Sequence, residues 1–182
     1  MAAGASIRRG DRAQGLALLR EHVTAHPDDA SALQLMAVLL DPVKDRVEAE
    51  RVYRAVLAVR PDDVIAANNL AYVLAEDQAY RAEALTLARR AYERARGEPT
   101  VADTYGWVLL QSGDTTQAIR VLQEAVRRGP AVADAHLHLA LALLAAGRTA
   151  EASTSWTTAL GVDESLASRP EAAPLVKAFP KP

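Results

Sequence analysis

The feature that most constrains this 182-residue chain is a spacing of 34 positions at which its residues recur. Gly113 and Gly147 stand 34 positions apart, and so do Pro27 and Pro61, each of which opens a Pro-Asp-Asp tripeptide. Three more pairs share this spacing: Ala118 with Ala152, Leu122 with Trp156, and Ala125 with Ala159. Repetition with a period of roughly 20–50 residues indicates an array of stacked supersecondary units.

The composition indicates that the repeated unit is helical. Hydrophobic residues make up 50% of the chain and aromatic residues only 4%, so alanine and leucine supply most of the apolar mass. Strands are enriched in β-branched and aromatic residues, whereas alanine and leucine are strong helix formers. We therefore expect an all-α protein whose helices pack closely together.

The residues at equivalent positions resemble the tetratricopeptide repeat, a helix–turn–helix unit with a period of about 34 residues. The positions that carry the resemblance are Leu33, Ala37, Ala49, Tyr53 and Pro61; Leu70, Ala71, Ala84, Ala88 and Ala91; Tyr105, Gly106, Ala118, Leu122 and Pro130; and Leu139, Ala140, Ala152, Trp156 and Ala159. The resemblance is to bacterial members of the family. It implies a right-handed α-solenoid of antiparallel helix hairpins, a tetratricopeptide-like superhelix.

The repeat register divides one continuous domain into six segments. They are a truncated first repeat at 1–29, repeat 2 at 30–63, repeat 3 at 64–98, repeat 4 at 99–132, repeat 5 at 133–166, and a C-terminal capping helix with a tail at 167–182. A complete first repeat, with its turn at Gly10, would have to begin before Met1. The chain is therefore either a fragment of a longer protein, which we favour, or begins with a degenerate capping repeat.

The helix boundaries and crossings follow from local chemistry. The Pro-Asp-Asp tripeptides are predicted to end one helix and to cap the next, and Gly113 to form a tight turn inside a hairpin. Small residues are expected where two helices cross at roughly 8–10 Å. These are Ala71, Gly106 and Ala140 on first helices, faced by Ala84, Ala118 and Ala152 on second helices. After repeat 5, we expect Leu175, Val176 and Phe179 to cover the flank of the last hairpin.

Charge and residue content exclude several classes of function. The 21 Lys and Arg residues are balanced by 23 Asp and Glu residues, and no concentrated basic segment predicts nucleic-acid binding. The absence of cysteine excludes disulfides and thiolate chemistry. No apolar run is long enough to insert across a membrane, and the first residues lack the layout of a signal peptide. The choice between the cytoplasm and the periplasm stays open.

Catalytic and metal-binding motifs are missing as well. His22 and His26 share a helix face without the context of a zinc motif, and His136 and His138 are predicted to point to different faces. The sequence contains no Gly-rich phosphate loop, and its serines form no recognisable relation to His and Asp. We therefore predict no catalytic site, no metal and no cofactor, and we expect that the protein is not an enzyme.

The resemblance implies that the first helix of each hairpin lines a concave groove. The positions expected to face it are Gln34, Val38 and Asp41; Asn68, Tyr72 and Glu76; Asp103, Trp107 and Gln111; and Leu137, Leu141 and Leu144. Tyr72 and Trp107 are equivalent aromatic residues, and we favour their being anchors for a partner over packing residues. Trp156 lies at a second-helix position and is expected in the core.

These positions define the expected partner. Family members that clamp a C-terminal carboxylate use lysine, arginine and asparagine, whereas only Asn68 matches here and no basic residue stands at a groove position. We therefore expect a segment with apolar side chains and a basic residue facing Asp103. The sequence predicts a non-catalytic protein–protein interaction scaffold in a bacterial multiprotein assembly. The alternatives are a structural spacer of an envelope, export or secretion protein, a module of such a protein that self-associates through the open ends of the array, and a regulatory module of an enzyme or a secretion machine.

Overall fold

The computed structural model describes residues 12–40 and 45–180. Within them the chain forms ten α-helices and no strand, which confirms the predicted all-α class. The helices are α1 Arg12–Ala25, α2 Ala30–Leu39, α3 Arg46–Val59, α4 Val64–Leu74, α5 Arg81–Arg94, α6 Pro99–Gln111, α7 Thr115–Arg128, α8 Ala133–Ala145, α9 Thr149–Val162 and α10 Ala173–Ala178. The turn predicted at Gly10 lies outside the described residues.

Helices α2 to α9 form four antiparallel hairpins, each made of a first helix and a second helix. The first helices α4, α6 and α8 also contact one another across the hairpins, so the array has one layer of first helices and one of second helices. Each hairpin has an apolar flank that only its neighbours can bury, which is the origin of stability in a solenoid.

Aspartates begin several of these helices, as the sequence predicts. The Asp29 carboxylate accepts hydrogen bonds from the backbone N–H of Ser31 and Ala32 at 3.0 and 3.1 Å. Asp63 accepts one from the N–H of Ala66 at 2.9 Å. These bonds satisfy donors that the first turn of a helix leaves free. Inside the later hairpins, Gly113 and Gly147 adopt φ angles of 89° and 74°, which favour glycine.

Small residues meet where the helices of a hairpin cross. The alanines predicted at these crossings are fully buried; they are Ala71, Ala84, Ala118, Ala140 and Ala152. Gly106 of α6 lies directly against Leu122 of α7. A Cβ atom added to Gly106 would stand 2.7 Å from Leu122 Cδ2 and closer still to Cγ. The leucine therefore occupies the space that a larger residue at 106 would need.

The end of the chain covers the flank of the last hairpin. Two 3₁₀ turns, Glu164–Ser168 and Pro170–Ala172, lead into α10. Leu175 of α10 is buried with Leu166, Leu137 and Trp156 in one apolar cluster, and Phe179 packs against it. Leu175 and Phe179 thus lie as predicted, whereas Val176 points outward with 39% of its surface exposed.

We expect the substitution Gly106→Ala to lower the free energy of unfolding by about 1–3 kcal/mol. Alanine gains up to about 1 kcal/mol of helix propensity over glycine, but the added methyl group overlaps Leu122, whose branch point cannot swing away. Unfolding in urea measures the difference.

Gly161 of α9 supplies the matched control, because a Cβ atom there would have no neighbour within 4 Å. Gly161→Ala should therefore raise the free energy of unfolding by up to about 1 kcal/mol. If both substitutions changed stability in the same direction, the close crossing at Gly106 would not constrain the hairpin.

Candidate functional site

A cleft of about 720 Å³ lies along the layer of first helices and ends at the C-terminal segment. Its apolar lining comes from α4, α6 and α8 and consists chiefly of Tyr72, Trp107, Leu110, Leu141 and Leu144. Its polar lining consists of Arg46, Glu76, Gln111 and Glu171, while Pro170 and Pro174 contribute from the C-terminal segment. The cleft is therefore a largely apolar trough whose lining also includes charged groups.

Half of the predicted groove residues meet in this cleft. Those that line it are Tyr72, Glu76, Trp107, Gln111 and Leu141, together with Leu144. Residues Tyr72, Trp107 and Leu141 occupy equivalent positions of three successive repeats. Because successive first helices lie side by side, these three side chains follow one another along the cleft, with Trp107 almost completely buried and Tyr72 and Leu141 partly buried.

Two predicted residues of repeat 2 lie away from the cleft. The Gln34 amide donates a hydrogen bond to Asp63 at 2.8 Å and also bonds to Arg60, so it connects one hairpin to the next. Val38 is 65% exposed but does not line the cleft. Asp41, the third predicted groove residue of this repeat, lies outside the described residues.

Three further predicted residues lie beside or beneath the cleft lining. Leu137 is completely buried in the apolar cluster of the C-terminal segment, which covers this part of the first-helix layer. Asn68 is half-buried and bonds to Asn69 at 3.2 Å. Asp103 is only 6% exposed and bonds to His138. The expectation that Asp103 would face a basic residue of a partner is wrong, because its carboxylate is already paired inside the protein.

A buried polar pair supports the cleft. His138 of α8 has no exposed surface, and its Nδ1 lies 2.8 Å from Asp103 Oδ1 of α6. The imidazole stacks on the Trp107 indole, with ring centroids 4.5 Å apart, and the Tyr72 ring centroid lies 6.4 Å away. The pair thus supports the Trp107 side chain from beneath the cleft and lies close to Tyr72.

The environment raises the pKa values of both His138 and Tyr72. Burial lowers the pKa of His138, but the charge of Asp103 and its hydrogen bond more than offset this, so the pKa is raised. Burial raises the pKa of the Tyr72 phenol, and the charges of Glu171, Asp134 and Asp103 raise it further, while Arg169 opposes them. Tyr72 is therefore neutral at physiological pH and lies in a predominantly negative field.

Some buried polar atoms around this pair have no hydrogen-bond partner among residues 12–40 and 45–180. They are Trp107 Nε1, His138 Nε2 and Asn68 Oδ1. Most buried polar groups in proteins are paired, so unpaired ones usually have a particular explanation. Trp107 also lines the cleft, although its unpaired Nε1 is itself buried.

Arg46 is a basic residue of the cleft lining that the sequence did not predict. Arg46 begins the second helix α3, yet its guanidinium extends to the cleft and donates hydrogen bonds to Glu76 and to the carbonyl of Val73. Arg169 similarly donates to Asp134 at 2.5 Å and lies 3.8 Å from Glu171. Both arginines are thus held by carboxylates, and neither is free to clamp a ligand carboxylate.

The described part of the chain contains neither a cluster of metal-binding side chains nor a membrane-spanning helix. No group of three or more histidine, cysteine, aspartate or glutamate side chains lies there in a position to hold a metal ion. No helix within those residues has the length and apolar character that crossing a bilayer requires.

The fold and its cleft define a helical-repeat protein, and comparison with known sequences specifies which one. A sequence profile of the tetratricopeptide repeat matches residues 45–99 and 106–159, more than half of the chain, so the protein belongs to the tetratricopeptide repeat family. The TPR repeat-containing protein PA4667 of Pseudomonas aeruginosa is 30% identical over 112 residues. These residues are 62% of this chain but only 19% of that relative.

Solved structures share the architecture. A fragment of MamA from Desulfovibrio magneticus RS-1 superposes with a TM-score of 0.70 at 22% identity, over 90% of this chain and 92% of that one. TTC0263, a TPR protein of Thermus thermophilus, does so with a TM-score of 0.70 at 19% identity, over 98% and 95% of the two chains. At these identities the likeness concerns the fold, and it confirms the predicted α-solenoid.

We expect Asp103→Asn to lower the free energy of unfolding by about 3 kcal/mol at pH 6.5 and below, because it leaves His138 buried without its counter-charge. The raised pKa of His138 sets the pH dependence of this effect. The ion pair contributes its full stabilisation below pH 6.5, the ordinary pKa of histidine, and this stabilisation is lost as the pH rises through the pKa of His138 in the folded protein. Urea unfolding of both proteins across this range measures it. A stability difference that grew with rising pH would contradict a protonated His138.

Proposed function

We propose that this protein is a non-catalytic interaction scaffold whose cleft binds a segment of a partner protein through apolar side chains and one basic residue. Membership of the tetratricopeptide repeat family supports a role in protein–protein interaction. The observation that carries the proposal is the largely apolar trough lined by Tyr72, Trp107 and Leu141, contributed by three successive repeats and bounded by the C-terminal segment.

The aromatic lining of the cleft suits a partner anchor. Trp107 is 4% exposed and stacked on His138, so its position is fixed before a ligand arrives. Rigid, largely buried aromatic residues lose little conformational entropy on binding, and they are common among residues that dominate interface energies.

The charges near the cleft favour a basic residue in the partner. Glu171 lines the cleft and has only a distant ion pair with Arg169, at 3.8 Å, whereas Asp103 is buried beneath it. The surroundings of Tyr72 are predominantly negative. A lysine or arginine next to the apolar anchor would therefore lie against Glu171, and complementary charge of this kind supplies specificity.

The proposed interaction belongs to a larger bacterial assembly. The chain spans 19% of the length of its Pseudomonas aeruginosa relative, so such repeats can occur within much larger bacterial proteins. We place the scaffold in a bacterial multiprotein assembly, where the bound segment belongs to another component. The spacer alternative predicts no peptide binding in the cleft.

Selection of a random peptide library on the immobilised protein tests the proposal. We expect the selected peptides to combine leucine or aromatic side chains with a lysine or arginine. The substitution Ala145→Trp, at an exposed residue of the cleft lining, should weaken binding of a labelled selected peptide by roughly tenfold or more because the indole fills the trough. Fluorescence anisotropy measures the affinity.

Two matched controls separate the cleft from the rest of the surface. Ala150→Trp adds the same side chain at an exposed residue of α9 outside the cleft and should leave affinity unchanged. Glu171→Lys should weaken peptides that carry a basic residue, whereas Glu164→Lys, an equal charge change outside the cleft, should not. Selected peptides that bound equally well to the Ala145→Trp protein would rule out the cleft as their site.

A further inference from the structure

An arginine–glutamate bond joins the second helices of successive repeats, and it occurs twice at equivalent positions. Arg20 of α1 donates two hydrogen bonds to Glu48 of α3, the Nε–Oε1 distance being 2.8 Å. One repeat later, Arg54 of α3 donates two hydrogen bonds to Glu83 of α5, at 2.6 and 3.1 Å. Each carboxylate thus neutralises a guanidinium at the junction between neighbouring repeats.

The series is interrupted at the next junction. Arg89 of α5 is the repeat equivalent of Arg20 and Arg54, once the extra residue in the turn of repeat 3 is counted. The equivalent of Glu48 and Glu83 is Gln117 of α7, whose neutral amide donates instead to the Tyr105 hydroxyl at 3.3 Å. Arg89 therefore lacks the carboxylate that its two counterparts possess.

A pocket of about 560 Å³ lies at this junction, in the layer of second helices and away from the cleft. The pocket is lined by three arginines, Arg89, Arg96 and Arg120. None of them forms an ion pair with another residue of the described ranges. Of its two carboxylates, Glu124 is bonded to Arg128 at 3.0 Å and to the Tyr92 hydroxyl at 2.8 Å. That leaves Glu93 alone against three guanidinium groups.

We propose that this pocket is a second interaction surface, distinct from the cleft, and that it binds an acidic segment of a protein partner. A carboxylate of that segment takes the place that Glu48 and Glu83 fill at the preceding junctions and accepts hydrogen bonds from Arg89. Arginine presents its N–H groups in a planar fork that matches a carboxylate. Arg96 and Arg120 face neighbouring acidic side chains of the same segment.

The walls of the pocket fit a peptide chain. The Tyr92 and Tyr105 rings lie 5.1 Å apart and are held by their bonds to Glu124 and Gln117, so they form a fixed apolar surface between the arginines. The methylene groups of glutamate side chains can pack on such rings while their carboxylates reach the guanidinium groups. Both the shape and the charge of the pocket thus correspond to a glutamate-rich segment.

Fluorescence anisotropy with a labelled hexaglutamate peptide at low ionic strength tests this proposal, with a hexaglutamine peptide as the uncharged comparison. We expect hexaglutamate to bind and hexaglutamine not to bind. Gln117→Glu should weaken its affinity by about tenfold, because it supplies an internal carboxylate for Arg89, and Arg89→Gln should weaken it similarly. Unfolding in urea shows that each variant is folded.

Controls with the same change of charge distinguish the pocket from the general surface. Gln123→Glu places the same substitution on an exposed part of α7 outside the pocket, and Arg127→Gln removes an exposed arginine there. Both should retain affinity within about twofold of the original protein, since exposed charges at a distance are screened. Inorganic phosphate at matched ionic strength should displace hexaglutamate no better than chloride does.

Three results would overturn the proposal: no binding of hexaglutamate, equal affinity of the Gln117→Glu and Gln123→Glu proteins, or displacement by phosphate well beyond that by chloride. The last would identify a phosphate site. Because none of these substitutions touches the cleft, peptides selected for the cleft should bind all four variants normally, and the two proposals can fail independently.

Discussion

The close crossing of the two helices in each hairpin is the constraint on which the rest of the structure depends. Alanine occupies these crossings without exposed surface, and in repeat 4 Gly106 makes room for Leu122. Large side chains there would push the helices beyond the roughly 8–10 Å of ordinary packing. Compact hairpins can stack with their first helices in contact, and this stacking buries the apolar flank that no hairpin can bury alone.

Stacking of similar units also explains where function resides. Equivalent positions of successive repeats lie side by side, so a change of residue type at one position alters the surface at one point. One such position is occupied by Tyr72, Trp107 and Leu141 in three successive repeats, and their side chains line an apolar trough. The change from Glu48 and Glu83 to Gln117 opens a positively charged pocket in the other layer. The two proposed surfaces are thus local departures from the repeat, built on a common frame.

Periodic and local features could be predicted from the sequence, whereas contacts between distant residues could not. The repeat period, the aspartate caps and the buried alanines follow from spacing and helix chemistry, whereas the placement of Tyr72 and Trp107 in the first-helix layer follows from the resemblance to the tetratricopeptide repeat. Leu137 was expected in the groove, but the fold of the C-terminal segment over α8 decides its burial. The pairing of His138 with Asp103 and the reach of Arg46 from a second helix depend equally on tertiary geometry.

Methyl NMR of leucine-labelled protein, titrated with a selected peptide, shows whether the cleft of the first-helix layer binds a partner segment. Binding in the cleft should shift the methyl signals of the cleft leucines Leu110, Leu141 and Leu144, and should leave unchanged those of Leu16 and Leu19 of α1, which lie at the other end of the array. Shifts confined to α1, or spread evenly over the protein, would contradict it.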